Sequence, residues 1–487
     1  MIDKENQVNI LINKLKSIAL DTLDKKEFNA CMSALSFAAE TLYTYNQFYV
    51  DDELEKITVE VGNDIKDKLN FAKYNQKDIK DDILLYDGFG LDTRGVVLMY
   101  LNALGKNGYK VTYATNNKVK NDIPSIKKMC EKYGFKILYI DMTNYEKWCI
   151  QLAEIFEQVK PKAAFFYTTP FDTSACATFS MYKGLCKRLL IDLTDHAFWL
   201  GKEANDYFLG SREMSAYIQY YERKIPKSKC IKLGVNLLIE NCLDHSGLPF
   251  DVEQNKYIFS GGALYKTLGD ANNSYYRIVN HILEKHADVR FIYAGDGDDV
   301  ELKKIVNNFP DRAFHIHERK DFYYLIQNCT LYLNTYPMFG GMMMKYSALA
   351  HRLPITLKHG SDSDGLLLNQ EECNIEYNNY DDLIEDVDRL LCDDDYRRRR
   401  EKKLDGSVIT EERFVNNIRG VIENSNTDYK HEFIKLDTKE FRKEYFNRFD
   451  YNSNMVCMVN RLNIPLFKYF PGVFIYGAVK KIFNKIS

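Results

Sequence analysis

Along the first 80 positions, apolar residues recur every three or four places: Val8, Ile10, Leu11, Leu15 and Ile18, then Phe28, Met32, Leu35 and Phe37. That period paints one apolar stripe on a helix, so 1–80 is predicted as a helical hairpin with Asp21 and Asp24 near its turn. From residue 83 the texture changes to short unbroken apolar runs. Strands are predicted at 83–86, 110–114, 136–140, 163–167 and 189–193, with a helix at 96–104 and helical spacing between the later runs. Such runs, separated by helices, describe parallel strands buried on both faces. A polar stretch at 235–256, containing Asp244, Gly247 and Pro249, interrupts the pattern. The alternation then resumes, with strands at 257–260, 290–294, 313–316, 331–334 and 355–357 and helices at 275–284, 300–307 and 346–351. Two further helices are predicted at 381–391 and 396–424. The fold class that follows is α/β: two doubly wound domains, 81–245 and 246–425, after a helical extension (1–80) and before a helical tail (426–487).

Composition removes several function classes. With 66 basic and 69 acidic residues the formal net charge is −3, so no global field favours nucleic acid as a partner. The 11 cysteines are odd in number and contain no C-x-x-C pair, which argues for reduced thiols and against a disulfide framework or zinc site. No signal-peptide run opens the chain, and no apolar stretch is long enough to span a bilayer. A cytoplasmic protein is expected, with a peripheral position at the inner face of the plasma membrane as the other possibility. That second option rests on the tail at 464–486, where Phe467, Tyr469, Phe470, Val473, Phe474 and Tyr476 interleave with Lys468, Lys480, Lys481 and Lys485. Such a segment either lies on an anionic surface or docks on the first domain.

In a doubly wound sheet, ligands bind where strands end and helices begin. Four loops meet that description. The first, 87–95, offers Gly90 for a tight turn and Asp92, Thr93 and Arg94 as polar groups; its spacing is not that of a dinucleotide-binding G-x-G-x-x-G. The second, 191–201, carries Asp195, His196 and Trp199, and an imidazole with a neighbouring carboxylate suits proton abstraction from a hydroxyl. The third holds Gly261, Gly262 and Lys266, and the fourth holds Tyr336, Gly340, Gly341, Met342 and Met343. Both read as helix starts able to hold phosphate.

The order of these pieces resembles a GT-B glycosyltransferase, whose domains are Rossmann-like. The second domain has a Gly-Gly-x-x-x-Lys turn, then Phe291 to Gly297, then Phe314 to Arg319, then Pro337 to Gly341. Ser347 to Ile355 follows and is similar to the family's E-A-x-A-x-G-x-P helix. The resemblance covers about residues 83 to 425, as an ordered set of individually weak matches. It implies a nucleotide-sugar co-substrate, with a UDP-sugar the leading choice, and no cofactor or metal. The diphosphate would lie against Gly340 and Gly341, Lys266 would neutralise it, and the base would sit near His315 to Arg319. A glycan, lipid-linked or protein acceptor would enter by Gly90, Thr93, Arg94 and Trp199, and His196, oriented by Asp195 or Asp92, would take its proton. Surface polysaccharide or glycoconjugate synthesis is the implied setting, with homo- or hetero-oligomers open. The acidic pair of many retaining members is missing, its positions being Phe339 and Ser347. The branch resembling O-GlcNAc and bacterial protein N-glycosyltransferases lacks it too.

Three alternatives stay open. Asp296-Gly297-Asp298 and Asp362-Ser363-Asp364 have the D-x-D spacing of a metal-using GT-A transferase. A sugar-nucleotide epimerase needs the same donor site but no acceptor. A non-catalytic GT-B subunit supporting a partner enzyme would also tolerate the missing acidic pair.

Overall fold

The computed structural model describes residues 3–92, 96–239, 242–359, 365–447, 451, 464–472 and 475. The chain divides into two compact units. The first comprises Met1–Leu233, Phe414–Lys435 and Arg442–Ser487; the second comprises Gly234–Arg413 and Leu436–Phe441.

The first unit opens with three helices where the sequence pattern predicts two: α1 (Lys4–Asp24), α2 (Phe28–Tyr45) and α3 (Asp52–Leu69). The additional helix starts on Asp51, whose carboxylate accepts from the N–H groups of Glu53 and Leu54. Seven strands follow: β1 (Lys80–Asp87), β2 (Lys110–Asn116), β3 (Lys136–Ile140), β4 (Pro161–Tyr167), β5 (Lys187–Ile191), β6 (Tyr207–Gly210) and β7 (Cys230–Lys232). They form one parallel sheet in the order β3-β2-β1-β4-β5-β6-β7. The order reverses between β1 and β4, which opens a crevice at their carboxyl ends.

The N-terminal helices share the sheet's own core. Leu35, Ala38 and Leu42 of α2 and Ile57 and Val61 of α3 join Leu84, Tyr86, Ala164 and Phe166 in one buried cluster. Glu55, 3% exposed, reaches out of α3 to accept from the backbone N–H groups of Gly201 (2.8 Å), Lys202 (2.9 Å) and Glu203 (3.1 Å). The described part of the tail packs here as well. Leu466 and Phe470 are buried in the same cluster, Phe470 stands edge-on to Phe37, and Lys14 donates to the Tyr469 carbonyl. Val473, Phe474, Tyr476, Lys480, Lys481 and Lys485, on which the membrane reading rests together with Phe467, Lys468, Tyr469 and Phe470, lie outside the described residues. Among those described, no helix is long and apolar enough to cross a membrane.

The second unit holds β8 (Tyr257–Gly261), β9 (Arg290–Ala294), β10 (Ala313–Ile316), β11 (Leu331–Leu333), β12 (Pro354–Leu357) and β13 (Glu376–Tyr377). All are parallel, in the order β10-β9-β8-β11-β12-β13, with the reversal between β8 and β11. Successive side chains point to opposite faces of a strand, and here both faces are dry. Ile258, Phe291, Tyr293, Leu331 and Leu333 fill one core, while Tyr257, Phe259, Ile292, Ala294 and Tyr332 fill the other.

Two predicted helices end differently. The one expected at 346–351 runs over Gly341–Leu349 and begins at the glycine pair itself. The one expected at 396–424 is two helices, Asp394–Glu401 and Glu411–Asn424, parted where Gly406 takes a φ of 74° and Thr410 caps the restart.

Glu55→Ala should cost about 2–4 kcal/mol, since three backbone donors, that of Gly201 buried, lose a shared carboxylate acceptor, and chemical denaturation of the two proteins measures it.

Candidate functional site

In the second unit, the loops after β8 and β11 meet at the topological switch point. Gly262 leaves β8 with its N–H on the Ala294 carbonyl (3.0 Å), and its own carbonyl accepts from the Tyr293 hydroxyl (3.0 Å). The backbone of Gly295 passes so close that a Cβ there would stand 1.9 Å from the Gly262 oxygen. A Cβ on Gly261 would meet the Met343 methyl at 3.0 Å. Lys266, on a short 3-10 turn, donates from Nζ to the Phe339 carbonyl (3.3 Å), and its own carbonyl accepts from the Met338 N–H (3.2 Å). The two glycine loops are thus stitched together, and the helix Gly341–Leu349 starts from that seam.

Asn334, just past β11 and 1% exposed, shapes the second loop. Its Oδ1 accepts from the N–H groups of Thr335 (3.0 Å) and Gly340 (3.1 Å), and the Thr335 hydroxyl closes onto the Met338 carbonyl (2.7 Å). Gly340 is the N-cap and brings no side chain to the helix start. Helix-start N–H groups have no partner within the helix and carry partial positive charge, so the turn at Gly340, Gly341, Met342 and Met343 suits an anion.

The other residues predicted for this site are placed as follows. His315 Nε2 lies 2.8 Å from the Gly295 carbonyl, in the turn that leaves β9. Tyr336 stands edge-on to His359. Arg319 is committed elsewhere: it forks onto Asp321 (2.7 Å to each oxygen) and donates to the Ser246 carbonyl, fastening the polar stretch before β8. Phe339 is buried in the core and the Ser347 hydroxyl donates to the Arg352 carbonyl, so neither position offers a group in place of the acidic pair. Asp296 pairs with His317 (2.6 Å) and Asp298 accepts from the Val300 N–H, which gives the D-x-D carboxylates local duties. The second D-x-D, at 362–364, lies outside the described residues.

In the first unit, a cleft opens at the carboxyl ends of β4 and β5, lined by Thr168, Thr169, Asp192, Thr194 and Trp199 among others. Asp195 is buried and forked by Arg212 (2.7 Å from Nε and from Nη2), with the Ser215 hydroxyl at 2.8 Å. His196 Nδ1 lies 3.7 Å from Asp195 Oδ1, and the ring is 25% exposed, so these two predicted residues are together. Asp92 is not with them. Its carboxylate accepts from the Ser125 and Ile126 N–H groups (3.0 Å each) and caps the helix Pro124–Tyr133, which gives it a structural task in place of orienting the histidine. Gly90 has a φ of 60° and donates its N–H to Asp87, whose carboxyl burial pushes up to about 6. Thr93 and Arg94 lie outside the described residues. Trp199 lines the cleft and carries the Arg223 guanidinium 3.5 Å from its ring centroid.

Arg212, Ser215, Gln219 and Arg223 escaped the sequence reading. Arg223 is fully buried, donates to the Trp199 and Ala197 carbonyls, and has its pKa lowered by burial to about 9. Gln219 donates to Asp192 Oδ2 (2.7 Å). Burial, then the charge of Asp195, push the Asp192 carboxyl upward, while Arg223, Gln219 and His196 pull the other way. Burial pushes Asp195 upward as well, but the Arg212 guanidinium outweighs it and holds that carboxyl far below the usual range. Two carboxyls three residues apart are thus driven in opposite directions. Their last turn of sequence, Asp192 to His196, held the only available signal.

The two parallel Rossmann-like sheets give a GT-B-like α/β fold, which solved structures share. Among solved structures, the chain is similar to a mutant O-GlcNAc transferase of Thermobaculum terrenum, at 13% identity over 91% of this chain and 84% of that one, with a TM-score of 0.52. It is also similar to a UDP-N-acetylglucosamine 2-epimerase (11% identity, 73% and 99% of the two chains, TM-score 0.52). A third likeness is to MnaA of S. aureus in a structure with UDP (12% identity, 72% and 100%, TM-score 0.50). The GT-B fold is common to such transferases and epimerases. No protein-family model and no curated protein matches the sequence.

A carboxyl whose pKa is raised on folding keeps a proton that the unfolded chain releases above about pH 4. Asp192 therefore loses the native state stability as pH climbs from there through its folded value. Asp192→Asn removes that loss. The variant should gain on the parent between pH 4 and pH 8 in paired urea titrations, and a constant difference would contradict the placement of Asp192.

Proposed function

We propose that the chain is a glycosyltransferase that takes a sugar from a nucleotide-sugar donor, a UDP-sugar first among them, and passes it to a glycan, lipid-linked or protein acceptor. The observation that carries this reading is the seam in the second unit, where an uncapped helix start at Gly340 and Gly341 faces a loop bearing Lys266 at the switch point. The likeness to a structure containing UDP and to an O-GlcNAc transferase supports a UDP-sugar as donor.

In this reading the helix start and Lys266 hold the diphosphate and stabilise it as it leaves. The acceptor oxygen forms its bond to the anomeric carbon while the carbon–oxygen bond to the diphosphate breaks, its electron pair going to the phosphate. His196, beside Asp195, takes the acceptor proton, and Gly90 and Trp199 belong to the acceptor side. The loss of acidic groups at Phe339 and Ser347 favours one other reading, a non-catalytic subunit that binds the acceptor and supports a partner glycosyltransferase.

A thermal-shift panel of UDP, GDP, CMP and TDP with their sugar conjugates, with and without EDTA, is the first test. A ligand at 100 times its Kd stabilises the native state by about 2.7 kcal/mol. One nucleotide should shift the melting point regardless of EDTA, and Lys266→Ala should weaken it roughly tenfold, about 1.4 kcal/mol. No shift with any nucleotide sinks the donor site. Sugar isomerised without acceptor would mean an epimerase.

General-base help is worth about 10²–10⁴ in rate. His196→Ala should therefore slow transfer by that factor and leave nucleotide binding unchanged. Transfer within about threefold of the parent removes His196 from the mechanism.

A further inference from the structure

The Asn334 side chain carries a feature that the loop's own architecture does not use. Its carbonyl oxygen is doubly occupied, by Thr335 and Gly340, while its Nδ2 is buried and has no hydrogen-bond partner. The orientation is not arbitrary. Turning the amide over would face its NH2 toward two N–H donors, so the oxygen must be where it is and the NH2 must be the unused half. A buried amide donor left without a partner is rare in folded proteins and calls for an occupant.

The amide lies against the anion-suited helix start. A Cβ on the N-cap Gly340 would come within 3.1 Å of Asn334 Oδ1, and the Gly340 N–H donates to that oxygen. The helix that begins there has nine residues and no side-chain cap. Neutral donors and a dipole end are already present at this corner; an amide N–H adds one more donor, with no charge to repel a phosphate.

We propose that Asn334 is a diphosphate-binding residue, whose carbonyl holds the glycine turn and whose NH2 donates to a phosphoryl oxygen of the bound nucleotide. This rests on the donor-site reading given above. It adds a contact that fixes the phosphate position from the strand side of the turn, opposite in kind to the charge that Lys266 brings.

Asn334→Asp separates this from a purely structural role. A carboxylate accepts from Thr335 and Gly340 as the amide does, so the turn should keep its shape, while burying a charge at this position should lower the melting point without unfolding the protein. The donor is lost and a negative charge replaces it. UDP affinity by calorimetry should then fall by roughly 10–100-fold, the worth of a hydrogen bond to a charged group, while uridine binding stays within about threefold. If the panel selects another base, its diphosphate and nucleoside take the place of this pair. Asn334→Ser, neutral and short, serves as the second variant and should show a similar, selective loss. Parent-like UDP affinity in either folded variant overturns the proposal. A parent protein that binds no nucleoside diphosphate overturns the donor-site reading and this assignment together.

Discussion

Parallel strands cannot be joined by a hairpin, and the crossover between them has a fixed hand. Every other feature of the two sheets follows from that constraint. Helices must lie on both faces, strand ends of one polarity collect on one edge, and a crevice opens wherever the winding reverses. In each unit that crevice falls beside a central strand, between β1 and β4 and between β8 and β11. The loops that leave these strands are where glycines permit close backbone approach and where polar side chains gather.

The parts of the fold that one period describes were legible in the chain. β3, β9 and β10 lie over the very residues whose apolar runs predict them. The two-sheet architecture was legible for the same reason, because alternating texture is a local property repeated many times. β6 and β7 were not, since four and three residues carry too little pattern. The start of the helix Gly341–Leu349 was hidden differently: its glycines read as loop, and its methionines show no polar face because Met344, Tyr346 and Ala348 are all buried.

Site chemistry divided along another line. The loop glycines Gly261, Gly262 and Gly340, proposed to act through their backbone, were picked out by composition and place. Residues that act through distant partners did not. Nothing near Arg223 in sequence tells that its guanidinium lies on Trp199, and nothing near Asp92 tells that it caps a helix more than thirty positions on. Charge pairs also mislead: Arg319 looks free for a ligand until Asp321 and Ser246 are found on it. Long-range pairing is set by the fold, so it becomes visible only when the fold is.

The helix Glu411–Asn424 belongs, from Phe414 on, to the first unit, where Phe414 stands edge-on to Tyr100 and Asn107 donates to the Val415 carbonyl. During synthesis from the amino end, the first sheet is therefore complete long before one of its covering helices exists. The second unit leaves the ribosome in the interval with its strands β8 to β13 contiguous, and can close on itself. Until residues 414–435 arrive, the apolar ground around Tyr100 stays open, and the half of the molecule that is written first is the half that finishes last.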